Sequence, residues 1–148
     1  MTSFTIENKT VDVFPAAEPD RPVIYLNTYG QEGRQVFQQL QSSGCRDFNL
    51  VAISSLNWEH YMVPWEKNAP FTGGADDYLS VLLNEILPKA ETFISGTPLW
   101  KGIAGYSLAG LFAVYAIYQT DVFSRAGSMS GSLWFPGIKE YLFSRQPK

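Results

Sequence analysis

The chain has 148 residues, 45% of them hydrophobic and 17% charged, with a formal net charge of −3. That is enough for one domain with its own core and too little for two, and the apolar share excludes a disordered polymer. A net negative charge, with basic residues scattered from Lys9 to Lys148, excludes nucleic acid as the expected partner.

In chain order, Phe4–Glu7 and Val11–Phe14 alternate apolar and polar residues around Asn8-Lys9-Thr10, which predicts a β-hairpin with one solvated face. After a connector carrying Pro15, Pro19 and Pro22, the run Val23–Asn27 reads as a strand buried on both faces of a parallel sheet. The loop from Thr28 to Gly33 leads into a helix from about Arg34 to Ser42, with Val36, Phe37 and Leu40 as its buried stripe and Gly44 as a C-terminal cap. Phe48–Ser54 is the next buried strand, and a long aromatic loop runs from Ser55 to about Ala75.

Helical spacing then runs from Asp76 to about Ile94, with Asp76 or Asp77 as the cap and Pro88 expected to kink it. Trp100–Tyr106 is a strand, Leu108 to about Tyr118 an amphipathic helix, Arg125–Ser130 a strand, and Ile138–Phe143 a closing amphipathic stretch. Alternating strands and helices predict an α/β fold with a mostly parallel sheet covered by helices on both faces. The lone Cys45 and the absence of a signal-peptide pattern or a long apolar segment fit a cytoplasmic protein that neither enters nor spans a membrane.

The residues that carry chemistry are Gly105-Tyr106-Ser107-Leu108-Ala109-Gly110, set between a buried strand and a helix. This context makes G-x-S-x-G a nucleophile elbow, a sharp strand-to-helix turn that lifts a serine hydroxyl clear of its backbone. Strand and helix meet closely there, so the flanking residues must be small, and Ala109 in place of the second glycine adds one methyl group. Ser107 is the predicted catalytic nucleophile. The Leu108 N–H, at the start of the helix, is the first oxyanion donor. The second is expected from Tyr29 or Gly30, with the Thr28 backbone also possible, after the Val23–Asn27 strand.

The stretch Ala104–Ala113 resembles the elbow of a group of α/β-hydrolases, the “putative esterases”, that includes esterase D-like enzymes and enterochelin esterases. Asn57-Trp58 through Pro64-Trp65, Gly73–Leu79 and Ser128–Trp134 also look like segments of bacterial members. The resemblance implies an α/β-hydrolase fold and a serine carboxylester hydrolase that acts on small-molecule esters without a cofactor. An acyltransferase of the same fold and a non-catalytic binding module are the rival readings.

Such a serine needs a base, normally a histidine oriented by a carboxylate, in the chain order Ser, acid, His. No histidine follows Ser107; the only one is His60, and the only acids after the elbow are Asp121 and Glu140. Family members carry their acid and base on further strands. The chain is therefore expected to be the N-terminal part of such an enzyme, feeble or inactive alone. It is also expected to associate, or to swap a segment, through an open sheet edge. Trp58, His60, Trp65, Tyr106 and Trp134 fall in loops at the predicted active edge and are the candidate substrate-binding residues, with no metal-ligand spacing among them.

Overall fold

A computed structural model describes residues 1–148. Strands β1 (Thr2–Ile6) and β2 (Lys9–Phe14) form the expected hairpin, but the turn falls on Glu7 and Asn8, whose φ angles of 47° and 69° give the mirror-image turn that suits strand twist. Then come β3 (Val23–Asn27), α1 (Gly33–Ser42), β4 (Asn49–Ser54) and a single turn, α2 (Trp58–Tyr61). A helical rod follows, in which α3 (Ala75–Val81) passes through a π turn over Leu82–Ile86 into α4 (Leu87–Ala90) and ends in a 3₁₀ turn over Glu91–Phe93. Strand β5 (Lys101–Tyr106), helix α5 (Leu108–Gln119), strand β6 (Arg125–Met129) and helix α6 (Ile138–Phe143) complete the chain.

One six-stranded sheet runs in the order β1-β2-β4-β3-β5-β6. The strands β4, β3, β5 and β6 are mutually parallel, and the hairpin joins antiparallel at the β4 edge. All six residues of β4 are buried, which is why its apolar run shows no alternation. The larger core, on one face, gathers Tyr78, Leu82, Ile86, Leu111 and Phe112 from the rod and α5. On the other face α1 presses Val36, Phe37 and Leu40 onto Phe14, Phe48 and Leu50. No helix is long and apolar enough to cross a membrane.

Two local expectations are corrected. Helix α5 buries eight residues between Leu108 and Ala116 and is apolar around nearly its whole circumference, rather than amphipathic, because it lies in the main core. The rod continues through Pro88. Its π turn ends just before α4, placing the proline in a first turn, where the N–H it lacks needs no helical partner. Neither Asp76 nor Asp77 caps α3, since Gly74 holds that position and the Asp76 carboxylate instead accepts the Tyr115 hydroxyl at 2.8 Å. Gly44, at φ 80°, follows α1 in the left-handed conformation expected of it.

Candidate active site

The elbow begins where β5 ends. Ser107 has φ 56° and ψ −124°, a conformation few residues other than glycine adopt, so the surroundings must hold it there. Its N–H donates to the Met129 carbonyl at 3.1 Å, and its own carbonyl accepts from Gly110 and Ser132 at 3.0 Å and from Leu111 at 3.2 Å. The end of β6, the loop after it and the first turn of α5 therefore clamp the serine from three sides.

Small residues make the clamp possible. A Cβ on Gly105 would come within 2.7 Å of the Ala109 backbone, and one on Gly110 within 2.8 Å of the Gly131 Cα. Ala109 itself is fully buried, its methyl group occupying space that the bare Gly105 leaves open. That is how the motif accommodates alanine at its second glycine position.

The Ser107 hydroxyl lies 3.4 Å from the hydroxyl of Ser132, a residue only 4% exposed. Both line an open cavity of about 480 Å³, together with Leu108, Tyr29, Trp58, Glu59, Pro70, Phe71, Tyr106 and Trp134. Its walls are aromatic. The Tyr29 ring meets Trp58 edge-on at 5.4 Å, Trp58 lies 6.1 Å from Tyr106, and Phe71 meets Trp134 at 6.2 Å. Burial first, and the Glu32 carboxylate second, push the Tyr106 hydroxyl pKa above its ordinary value, so the group stays protonated and can donate. Another cleft, of about 400 Å³ beside Arg21, Cys45, Trp100 and Arg125, holds Cys45 as its nucleophilic side chain with no histidine beside it.

The structure thus brings together Ser107, Leu108, Tyr29, Trp58, Tyr106 and Trp134, and leaves three of the predicted residues aside. His60 does not line the cavity: its Nδ1 pairs with the Thr72 hydroxyl at 2.6 Å, and its ring packs on Tyr61 and against Gly74. Trp65 is drawn into packing, because the preceding Met62 and Val63 are fully buried and carry the chain inward. Its Nε1 donates to the Pro136 carbonyl at 2.9 Å, and its ring contacts Tyr115, Phe135 and Tyr141. Gly30 stands beside the site, but its N–H donates to both oxygens of Glu32, at 3.0 and 2.9 Å. The Tyr29 N–H has no partner in the chain, and the Leu108 N–H sits in a first helical turn, where such groups lack intrahelical acceptors. Phe71 and Glu32 were not singled out by sequence. Phe71 lies in the same aromatic loop as Trp58, which is the signal that marks it, whereas nothing in the pattern marks Glu32.

Comparison with known proteins places this elbow in a lineage. The sequence profile of the family described as “Putative esterase” matches residues 28–146. The chain belongs to that esterase family. A curated relative, the uncharacterized protein YbbA of Bacillus subtilis (strain 168), is 28% identical in an alignment covering 80% of this chain and 53% of that protein. The chain thus spans about half the length of that relative. Among solved structures, the siderophore hydrolase EstB from Aspergillus nidulans superposes with a TM-score of 0.73 at 19% identity, over 93% of this chain and 58% of that one. The BES protein from Bacillus cereus gives 0.75 at 18%, over 94% and 64%, and an IroE-like serine hydrolase from Shewanella oneidensis gives 0.72 at 22%, over 91% and 49%. At these identities the superpositions establish the fold, and it is the α/β-hydrolase fold expected for an esterase of this family.

Proposed function

We propose that Ser107 is the nucleophile of a serine carboxylester hydrolase. The observation that carries this reading is the strained Ser107 backbone, held by four hydrogen bonds at the mouth of an aromatic cavity. Strain of this kind persists only where the surroundings over-determine it, and a strained serine on a strand-to-helix turn is the geometry acyl transfer requires.

In the proposed reaction the Ser107 Oγ attacks the ester carbonyl carbon as its proton passes to a base. The carbonyl oxygen becomes an oxyanion held by the N–H groups of Leu108 and Tyr29. Collapse of that intermediate expels the alcohol, which takes up a proton, and leaves the acyl group on Ser107. Water then adds to the acyl-enzyme and releases the acid. The rings of Trp58, Tyr29, Phe71 and Trp134 support small-molecule ester substrates with a bulky or aromatic acyl group, in keeping with the esterase family and with a siderophore hydrolase sharing this fold.

The 148 residues by themselves are poorly armed. The single histidine is paired with Thr72 and does not reach Ser107, whose hydroxyl is paired with Ser132. Turnover by this chain alone would rest on the oxyanion donors and binding, and is expected to be weak. All five residues of β6 are exposed at the end of the sheet, which supports self-association along that edge, and the single exposed Cys45 suits a reducing, cytoplasmic setting.

Hydrolysis of p-nitrophenyl benzoate and p-nitrophenyl butyrate by the chain and by Ser107→Ala tests the reading. Slow release of p-nitrophenol, faster with the benzoate and lost in the variant, is expected. Equal rates for chain and variant would remove Ser107 from the mechanism.

A further inference from the structure

Two candidate donors for the oxyanion follow β3, and the structure treats them differently. The Gly30 N–H is committed to the Glu32 carboxylate, at 3.0 and 2.9 Å from its two oxygens. The same carboxylate accepts the Tyr106 hydroxyl at 3.2 Å, and Tyr106 immediately precedes Ser107. Glu32 therefore ties the loop after β3 to the elbow itself. On the inner side, the Thr28 hydroxyl donates to the carbonyls of Ile53 and Gly30, both at 2.9 Å, which anchors the loop to β4. Between these two anchors the Tyr29 N–H is left unpaired, on a residue that lines the Ser107 cavity.

We infer that Glu32 is a positioning residue that selects the second oxyanion donor: by holding Gly30 and Tyr106 in one bridge, it withdraws the Gly30 N–H and sets that of Tyr29 toward Ser107. This inference rests on the Ser107 reading above and adds to it the residue that fixes the geometry of the oxyanion site. A carboxylate suits the task because its two oxygens share one N–H and still accept a hydroxyl, and hydrogen bonds to an ionised acceptor are the stronger kind. Without it, the Gly30 N–H and the Tyr106 hydroxyl lose their shared acceptor and the loop its link to the elbow. Oxyanion donors act at about 2.7–3.1 Å from the oxygen where charge develops, and displacement by about an ångström is costly, so freedom in this loop slows the reaction.

The test compares the parent chain with Glu32→Ala, Glu32→Gln and Tyr106→Phe. Two quantities are read: the rate at which a fluorophosphonate labels Ser107, and the amide resonances of Tyr29 and Gly30. Glu32→Ala is expected to slow labelling by about tenfold to a hundredfold and to move the Gly30 amide proton upfield. Glu32→Gln, whose side-chain oxygen still accepts from Gly30, restores most of the rate, and Tyr106→Phe falls between the two. Labelling of Glu32→Ala at the parental rate, with the parent labelled, would overturn the Glu32 role alone. So would failure of Glu32→Gln to exceed Glu32→Ala. No labelling of the parent, with the Gly30 resonance still shifted by Glu32→Ala, would instead overturn the Ser107 reading and the oxyanion role with it.

Discussion

The elbow and the aromatic loop lie on the same edge of the sheet and are built in opposite ways. At the elbow, the backbone decides everything. Ser107 takes a left-handed φ, Gly105 and Gly110 admit contacts no side chain could share, and four backbone hydrogen bonds close around one residue. In the loop between β4 and α3, side chains decide. Trp58 and Trp65 are seven positions apart in similar company, yet one walls the cavity and the other closes the core over α5 and α6. A function carried by backbone geometry leaves its mark in adjacent residues; one carried by packing is settled only by the whole fold.

Substitutions separate the two kinds of construction. The largest effect is expected at Trp65, where alanine removes three aromatic contacts and the hydrogen bond to Pro136. Urea unfolding should show a loss of about 3 kcal/mol, while ester preference in the cavity stays unchanged. A Trp65→Ala chain with parental stability and altered ester preference would return Trp65 to the binding residues.

Next, Gly105→Ala should cost about 1–3 kcal/mol by overpacking, because the new methyl group would press on the Ala109 backbone. Gly105→Ala/Ala109→Gly should recover part of that loss if the two positions share one space. Trp134, 67% exposed, should give the reverse of Trp65. Trp134→Ala is expected to leave stability within about 0.5 kcal/mol and to weaken the preference for benzoate over butyrate esters.

The smallest effect concerns acid. Backbone N–H groups of Ala17 and Glu18, at 3.0 and 2.8 Å, hold the Asp47 carboxyl below its ordinary value of 3.8, with Arg21 adding to this. A depressed folded-state pKa contributes stability that is present above the unfolded value and fades as pH falls through the folded one. Asp47 is exposed, so the contribution is modest. Comparing urea midpoints at pH 7 and pH 3 should show a smaller acid loss for Asp47→Asn than for the parent.

The fold and the strand-to-helix turn at Ser107 were legible because their signals are local. The unbroken apolar run of β4, the helix stripe of Val36, Phe37 and Leu40, and the run from Gly105 to Gly110 each occupy adjacent or regularly spaced residues. What was not legible depends on partners far along the chain. Pro88 marks an irregularity in the rod but not its form, a π turn over Leu82–Ile86, and Gly30 looks as good a donor as Tyr29 until the Glu32 carboxylate is found on its N–H. His60 reads as a pocket residue by position, but Thr72 and Gly74, twelve and fourteen residues on, hold it elsewhere.

A reactive Ser107 is the centre of the proposed function, and mapping a fluorophosphonate adduct by mass spectrometry reads it out without further assumptions. The predicted result is a single phosphonylated site at Ser107, absent from Ser107→Ala, with Ser130 and Ser132 unmodified. An adduct on another residue, or equal labelling of the variant, would contradict it.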